Sequence, residues 1–486
     1  MTPSHRSRCL LAALAAAGAL AGCTVGPDYR GAPDAAAPGD HFVRAPAGGV
    51  RTAAPAPSRW WRALDDAQLD ALIDAALAHN PDLRAAQARL REARAQLTQQ
   101  RANALPKVST DAAALRTRSP DLGTLALPSS ALPASLGGGG PLQLYTAGFD
   151  ASWEIDLFGG TRRAIEAASA QADAVQADLA DTQVSLAAEV ASAYIDLRDQ
   201  QQRLALSRRS AGLQQQMLAL TQQRRARGVA DDSDIERLTS QLENTRATLI
   251  PLDAQITDSL DRLAVLTGQA PGALDAALGD ARALPALPAE VAIGDPTALL
   301  QRRPDIRAAE RRLASSNAQI GEHVADFFPK LTLLGDLGFS ASDPGHLLRK
   351  RDFSWLGAPY LQWNVLDFGR TLGAVHAAEA SRDEADARYV KTVLAALQDA
   401  NSALSRYGHQ RDHVDTLQKV AASADHAETL LRARYTAGVS TLIDLLDTQR
   451  DALGAQQNVI AGRAELLKDF VSLQKSLGLG WQAAPA

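Results

Sequence analysis

Few residues of this 486-residue chain are spaced for catalysis or for metal binding. His409 and His413 stand four positions apart on a predicted helix, a spacing at which two imidazoles can bind one zinc ion. No HExxH motif and no third ligand nearby in the sequence accompany them, which favours a solvated helix face. The glycines at 137–140 are not followed by Lys-Ser or Lys-Thr, so they form a loop and not a phosphate cradle. Without a G-x-S-x-G nucleophile motif either, the sequence predicts no enzyme, no metal and no bound cofactor.

Cys23 is the residue with the clearest chemistry. His5, Arg6 and Arg8 precede an apolar run that is too short for a permanent membrane span and reads as an export signal. The run ends in Leu-Ala-Gly-Cys, which resembles the bacterial lipobox. That resemblance implies cleavage before Cys23, a diacylglycerol thioether on its sulfur and an acyl chain on its new amino group. The alternative is an ordinary cleaved signal followed by a chance cysteine.

The location of the mature chain follows from this lipid. Stable anchoring needs more than one acyl chain, which such a lipoprotein has. Thr24 follows the cysteine, where an Asp commonly retains such lipoproteins at the inner membrane, so the outer membrane of a Gram-negative bacterium is expected.

A net charge of −5 without a long block of Lys and Arg argues against nucleic-acid binding.

The chain contains two copies of one unit. NPDLRAAQARL at 80–90 returns as RPDIRAAERRL at 303–313, an offset of 223 that holds to Lys107 and Lys330. WEIDLFGG at 153–160 returns as WNVLDFGR at 363–370, an offset of 210 that persists to Gly268 and Gly478. The two offsets differ by 13, because the first copy has 13 additional residues in the interval that contains its Pro, Gly and Ser-rich loop.

Each copy predicts one helix, two strands and a long helical hairpin. Residues 82–104 form the first helix, which Pro106 ends. Apolar and polar residues alternate from Tyr145 to Asp156, as in a strand with one apolar face. The second copy repeats this alternation. Its apolar residues are Phe353, Trp355, Leu361, Trp363 and Val365, with Leu331, Leu333, Leu337 and Phe339 on the partner strand.

The hairpins are predicted to be long and equal. Residues 161–226 lack proline, so they predict a helix of roughly 100 Å, and 231–267 predict the returning arm with a kink at Pro251. The second copy gives 371–436 and 441–477. The predicted organisation is a signal at 1–22, an extended segment at 23–64, the first repeat at 65–268, a linker at 269–297, the second repeat at 298–478 and a tail at 479–486.

Four membrane-length strands cannot close a barrel, because unpaired edges are not tolerated in lipid and known barrels begin at 8 strands. An oligomer is therefore predicted, to which each subunit contributes one sector. The expected fold is mainly α with membrane β.

The residues now resemble a known family, the TolC-type outer-membrane channel proteins, in the NodT or OprM lipoprotein branch. CTVGPDY after the lipobox, the PDLRAA and PDIRAA pair, the WEIDLFGG and WNVLDFGR pair, and YTAGVSTLIDLLDTQR carry the likeness over nearly all of 23–480. The resemblance implies a homotrimer with a 12-stranded β-barrel and a 12-helix periplasmic α-barrel. It implies a passive exit duct in a tripartite efflux pump, with a periplasmic adaptor and an inner-membrane transporter of RND type.

The family places its closed periplasmic mouth at the turn of the second helical hairpin. Carried over by position, the aperture residues are Tyr435, Asp444, Asp447 and Arg450, with Asp234 as the first-copy counterpart of Asp444. Threefold symmetry would turn each Asp into a cation-selecting ring. The alternative is an ordinary surface pair between Asp447 and Arg450. Ser440 departs from a family member that has an arginine two residues after the turn glycine, which changes the closed contacts.

Two other functions remain open at this point. The same duct also serves secretion systems in this family. A lipid-anchored periplasmic coiled-coil scaffold would explain the helices but not the four alternating strands.

Overall fold

The computed structural model describes residues 24–33, 39, 41–53, 58–118 and 141–481. The lipobox with Cys23, the loop of the first copy at 119–140 and the end of the tail lie outside these residues. The described part is mainly helical, with one four-stranded antiparallel sheet and a two-stranded pair. Its helices are α1 Ala67–His79, α2 Pro81–Asn103, α3 Gly160–Ala226, α4 Asp232–Leu266, α5 Asp275–Leu278, α6 Pro296–Arg302, α7 Pro304–Ala325, α8 Arg370–Thr436 and α9 Leu442–Ser476. Its strands are β1 Val50–Arg51, β2 Lys107–Arg118, β3 Pro141–Ile155, β4 Val291–Ala292, β5 Lys330–Ala341 and β6 Phe353–Gln362.

The four long helices confirm the repeat. α3 and α8 have 67 residues each, and α4 and α9 have 35 each. Both hairpins turn at a glycine with positive φ, +76° at Gly228 and +75° at Gly438. Helix α4 continues through Pro251. No helix among the described residues is long and apolar enough to cross a membrane.

The sheet has the order β2-β3-β5-β6, so each repeat supplies one antiparallel hairpin and the two hairpins join at β3 and β5. The two hairpins have the same register. Lys107 pairs with Ser152 in the first, and the repeat offsets convert this pair into Lys330 with Gln362, which is the pair observed in the second.

Strand β6 is shorter than the alternation of apolar residues predicted. It ends at Gln362, so Trp363 and Val365 lie beyond it. In the first copy, β2 likewise pairs no further than Ser152, and β3 continues to Ile155 only because β5 lies on its other side. Among the described residues, β6 has no strand on that side, so the prediction was wrong for an isolated protomer.

Two short helices, α1 and α6, escaped sequence interpretation. Each begins at an aspartate whose side chain accepts hydrogen bonds from the first turn, at Asp66 from the backbone N–H of Gln68 and Leu69 and at Asp295 from that of Ala298. Asp295 is followed by Pro296 at the first helical position, which is a usual helix start. Between them, α5 and β4 lie in the predicted linker, and β4 pairs in parallel with β1.

The chain divides into two compact units. The first comprises the described residues of 1–32, 92–173 and 311–387, and it contains the sheet. The second comprises those of 33–91, 174–310 and 388–486, and its core includes Trp61, Ile73, Tyr194 and Phe470.

The second unit is fastened by a buried guanidinium. Arg198 is fully buried on α3, and it donates to the side-chain oxygens of Gln201 at 2.5 Å and Gln68 at 2.6 Å. It also donates to the backbone carbonyls of Asp280, at 2.8 Å, and of Leu278 at the end of α5. Arg198 therefore ties the linker and α1 to the first long helix.

Candidate functional site

The sheet has one mainly apolar face and one mainly polar face, which also carries Leu334, Leu356 and Tyr360. Strand pairing places Asp111, Asp150 and Asp336 on the same face, with Asp150 directly opposite Asp336. Other polar residues share this face: Lys107, Ser109, Thr146, Ser152, Glu154, Thr332, Ser340, Ser354 and Gln362. Like charges directly opposite one another are unfavourable unless water solvates them, so this face requires water.

The other face is mainly apolar, with Thr110, Arg116 and Gln143 as polar exceptions. It carries Val108, Ala112, Ala114, Tyr145, Phe149, Trp153, Ile155, Leu331, Leu333, Leu337, Phe339, Phe353, Trp355, Pro359 and Leu361. Many of these side chains are exposed in the single chain, with Trp355 at 74%. Strands of about ten residues with one apolar and one polar face are typical of membrane β-barrels.

Two tryptophans, one near the end of β3 and one just after β6, hydrogen-bond to the chain just after α2 and α7. Trp153 Nε1 donates to the carbonyl of Ala104, just after α2, and Trp363 Nε1 donates to that of Phe327, just after α7, both at 3.0 Å. The two bonds are related by the repeat. Tryptophan at such a boundary keeps its ring on apolar surface while its N–H has a partner.

The turn between α3 and α4 is held by an ion pair that the sequence analysis did not predict. Arg225 Nε and Nη2 donate to the two carboxylate oxygens of Asp232, at 2.7 and 2.8 Å. This bidentate geometry lowers the pKa of Asp232 through the hydrogen bonds from Arg225. Asp234, a predicted aperture residue, lies two residues further along α4. An Arg before and an Asp after the turn glycine, Gly228, are the sequence feature from which this ion pair could have been predicted.

In the turn between α8 and α9, Asp444 belongs to a capping box at the start of α9. The backbone N–H of Asp444 donates to the Thr441 hydroxyl oxygen, while the Asp444 carboxylate accepts from the backbone N–H of Thr441 at 3.3 Å and its hydroxyl at 2.7 Å. These hydrogen bonds lower the pKa of Asp444, so the group is an anion at neutral pH. The T-x-x-D spacing carries this signal in the sequence.

The remaining aperture candidates fall in two environments. Asp447 and Arg450 form an exposed pair, 3.4 Å apart, in the i, i+3 arrangement. Tyr435 packs on a small apolar cluster formed by Leu238, Leu442 and Leu446 with Met217 and Leu218. The Arg224 guanidinium lies 6.0 Å from the centre of its ring. The structure thus brings Tyr435 against both hairpins, while the carboxylates of Asp444 and Asp447 stay exposed.

The histidine pair remains on a solvated helix face. His409 and His413 are exposed, and His413 Nδ1 lies 3.4 Å from the side-chain oxygen of Gln410. Within the part of the chain that the structure describes, no three His, Cys, Asp or Glu side chains gather closely enough to hold a metal ion.

Sheet faces, paired hairpins and repeat register together match one known class of protein. The family model for outer membrane efflux proteins matches residues 72–269 and 296–479. The chain belongs to the outer membrane efflux protein family.

Relatives of this family resemble the chain over most of its length. Outer membrane protein OprJ of Pseudomonas aeruginosa is 32% identical over 429 residues, covering 87% of this chain and 86% of OprJ. Nodulation protein T of Rhizobium leguminosarum bv. trifolii is 29% identical over 463 residues, covering 95% of each. These matches confirm the predicted NodT-type branch.

Solved structures of the family have the same fold. The outer-membrane channel OprN is 35% identical and superposes with a TM-score of 0.86, covering 95% of this chain and all of that one. The CmeC outer membrane channel of Campylobacter jejuni, at 22% identity and the same TM-score, shows the shared fold alone. The chain is therefore an outer-membrane channel of efflux pumps with a helical periplasmic part, and not an enzyme, as its sequence predicted.

The outer membrane efflux protein holds the segment after Cys23 in a fitted slot. The Val25 backbone N–H donates to the Phe158 carbonyl at 3.0 Å, and Asn317 donates to the Pro27 carbonyl at 3.0 Å. Arg163, whose side chain is 4% exposed, bonds the Val25 carbonyl at 3.2 Å and the Asp28 carboxylate at 2.5 Å.

Glycines make this slot possible. A Cβ on Gly26 would stand 2.3 Å from the Cα of Gly321, and a Cβ on Gly159 would stand 2.7 Å from a methyl of Thr24. The backbones approach so closely that only glycine fits. The GPDY stretch is therefore a docking segment, which puts the residue after Cys23 at a fixed place in the first unit.

Proposed function

We propose that the chain works as a homotrimer that forms a passive exit duct for solutes. One observation carries this proposal: the protomer has a four-stranded sheet with a mainly polar and a mainly apolar face, and over the residues that the structure describes its outer strands β2 and β6 each have an unpaired edge. Such edges are not tolerated in lipid. Three copies of the four strands close a 12-stranded barrel whose polar faces line water, and three copies of the four long helices give a 12-helix periplasmic barrel.

The duct receives its solutes from partners. Relatives that are similar over nearly their full length are described as the outer membrane protein of an antibiotic efflux pump, of a toluene efflux pump, and of pyoverdine export. Such different cargoes on one fold support a channel that selects little and a pump that selects more. The partners are a periplasmic adaptor and an inner-membrane transporter of RND type.

Cys23 carries the lipid anchor. Support comes from the lipobox and from the slot that holds Thr24 to Asp28 against Gly159 and Arg163. Mass spectrometry of the N-terminal peptide tests this directly. A peptide starting at Cys23 with three acyl chains supports the assignment, and an unmodified cysteine contradicts it.

The aperture of the duct lies at the helical turns. Asp444 and Asp447 supply exposed carboxylates there, Arg450 partly neutralises Asp447, and Tyr435 and Asp234 complete the set. With threefold symmetry the carboxylates form rings that favour cations and narrow the mouth by repulsion.

Single-channel recording tests the duct. The mature lipoprotein, extracted in detergent as it occurs in the membrane, is inserted into a planar bilayer with a salt gradient. Discrete steps with a cation-selective reversal potential support the proposal. Inserted oligomers that conduct neither alone nor after the aperture carboxylates are neutralised contradict the duct, and a protein that neither inserts nor oligomerises favours the scaffold.

A further inference from the structure

The second unit contains a small polar pocket between α3, α8, α9 and the start of α7, apart from the helical turns. Its volume is about 160 Å³. Its lining includes three carboxylates and three cationic groups, Asp181, Asp305, Asp399, Arg303, Arg406 and Lys475. Three of these side chains are exposed, those of Asp399, Arg406 and Lys475, so the pocket is open to water. The proposed duct makes no use of them.

One side of the pocket is a closed hydrogen-bond system. The Arg303 guanidinium donates to both carboxylate oxygens of Asp305, at 2.6 and 3.0 Å, and to the backbone carbonyl of Ser476 at 2.9 Å. Asp399 lies 3.5 Å from the same guanidinium. A Cβ on Gly478 would stand 2.8 Å from Cγ of Arg303, so the glycine leaves room for this side chain. These groups have their partners within the chain.

Two charged groups of the pocket have no such partner. Among the residues that the structure describes, none forms an ion pair or a side-chain hydrogen bond with Asp181 on α3 or with Lys475 on α9. Burial raises the pKa of the Asp181 carboxyl, because desolvation disfavours the anion, and the nearby Lys475 charge offsets only part of this. Opposite charges therefore face one pocket without meeting, and neither water nor protein compensates the carboxylate in full.

The first repeat shows what the fold itself requires at this place. Asn80 corresponds to Arg303, and its amide donates to the Leu266 carbonyl at 2.9 Å, the counterpart of the bond from Arg303 to Ser476. The Asn80 side-chain oxygen also accepts from the backbone N–H of Asp82 in the first turn of α2, at 2.8 Å. A guanidinium has no acceptor and cannot make that bond. A neutral Asn is thus sufficient to join the helix start to the helix end.

The two unpartnered charges are also confined to this pocket. Lys391 corresponds to Asp181 in the repeat, and Val265 corresponds to Lys475. Asp181, Lys475 and Arg303 therefore go beyond what the repeated helix packing requires, and the Asp181 carboxylate is kept although its desolvation is unfavourable. Such a pocket is suited to a ligand that carries the complementary charges.

We propose that this pocket binds a free α-amino acid, with the ammonium group of the ligand at Asp181 and its carboxylate at Lys475. The site is additional to the duct, and it lies within one chain, so it does not depend on the number of copies. A ligand held there bridges α3 of the first repeat and α9 of the second.

Charge and size select this class of ligand. Carboxylates and cationic groups are equal in number around the pocket, so a ligand with charge of one sign would meet repulsion. A volume of about 160 Å³ lies below the roughly 300–1,000 Å³ of pockets for drug-sized molecules, so solutes of that size do not fit. In a peptide, the terminal ammonium and carboxylate lie at opposite ends, whereas a free amino acid carries both on one carbon.

Equilibrium dialysis of radiolabelled alanine against the purified full-length protein in detergent tests the site. One saturable site per chain is expected, and glycine should compete for it. Ethylamine and propionate should compete about tenfold more weakly or less, because each can make only one of the two charge-assisted bonds. Competition by either single-charge molecule as strong as that of glycine would overturn the two-charge site.

Asp181→Asn and Lys475→Val each remove one of the two charges, and the second substitution follows Val265 of the first repeat. Each should weaken alanine binding about tenfold or more, since a charge-assisted hydrogen bond is lost. Asp258→Asn and Lys419→Val are the matched controls, because they remove exposed charges outside the pocket and should bind alanine as the wild type does.

Two results of the dialysis would overturn the proposal. The first is a wild type without saturable binding up to about 10 mM alanine, well above a millimolar Kd. The second is equal affinity of the pocket variants and their controls, which would place any bound alanine elsewhere on the protein.

Thermal unfolding supplies a second readout that also shows that the variants fold. Saturating alanine should raise the unfolding temperature of the wild type and of Asp258→Asn, because it binds the folded state, and should leave that of Asp181→Asn unchanged. Asp181→Asn removes a desolvated charge, so this variant is expected to fold without ligand. Equal shifts with alanine in all three proteins would contradict binding at Asp181.

Discussion

At the scale of single residues, Asp444 combines two properties that a substitution can separate. Its carboxylate contributes negative charge at the hairpin turn, and the same oxygen accepts the hydrogen bonds that cap α9 from Thr441. Alanine removes the charge and the cap together, whereas asparagine removes the charge and keeps an acceptor oxygen. Asp447 differs, because its carboxylate forms an ion pair with the exposed Arg450 side chain on the same helix and does not cap α9.

Asp444→Asn with Asp447→Asn is therefore expected to widen the aperture without disturbing the helix. Loss of the carboxylate rings removes repulsion across the lumen, so single-channel current should rise severalfold and cation preference should fall. Planar-bilayer recording at two salt concentrations measures both. If only the alanine double variant changes the current, the effect comes from the lost cap, and the charges have no part in the gate.

Asp181 on α3 should give the second unit a pH dependence. Burial raises the pKa of its carboxyl, and nearby Asp305 adds to this, while Arg303 and Lys475 oppose it. The unfolded chain loses this proton at lower pH than the folded one, so ionisation costs stability as pH rises above about 4. The penalty is constant once pH exceeds the folded pKa.

Asp181→Asn cannot ionise and is expected to raise the thermal unfolding temperature at pH 7. At pH 3 the carboxyl is neutral in both states, so the difference should largely disappear. Circular dichroism of the detergent-solubilised protein at both pH values measures it, with Asp258→Asn on an exposed face of α4 as control. A difference of equal size at both pH values would show that ionisation is not its cause.

At the scale of elements, local signals predicted the long helices and failed where a partner decides the structure. Proline-free stretches ending at Gly228 and Gly438 located both hairpins to within a residue or two. The end of β6 could not be predicted, because its last residue depends on a neighbouring strand, and the described part of the chain places β5 alone beside it. Helices α1 and α6 were not predicted, although the Asp residues that cap their N-termini are visible in the sequence.

The contact of the linker with Arg198 could not be predicted either, because nothing in the sequence distinguishes this buried arginine from the other basic residues, 50 in all. Arg198→Met would remove the hydrogen bonds that Arg198 donates to the Asp280 carbonyl and to the side-chain oxygen of Gln201, while the Leu278 carbonyl keeps its bond from the Gln201 amide. The expected loss is about 3 kcal/mol, since each unpaired buried polar group costs about 1–3. Faster proteolysis of residues 275–282 and a lower unfolding temperature would record it.

Arg208→Met is the matched control for Arg198→Met. Arg208 also lies on α3, but its side chain is exposed and bonds only the Asp253 carboxylate, at 3.0 Å. Exposed pairs contribute at most about 1 kcal/mol, so this variant should behave almost like the wild type. Equal losses from both variants would show that the linker is held by something other than Arg198.

At the scale of the whole molecule, the repeat is what the sequence revealed most completely. Two offsets located both copies, and the four alternating strands required more than one chain to close a barrel in lipid. The side-chain roles at the turns were less predictable, because Asp444 and Tyr435 depend on contacts from other residues.

The number of copies in the channel is the most direct test of this account. Native mass spectrometry of the detergent-released outer-membrane protein counts them without any label. Three copies are predicted, since three four-stranded sectors close the barrel and each brings two helical hairpins. A stable complex of any other number, or a monomer released from intact membranes, would contradict the account.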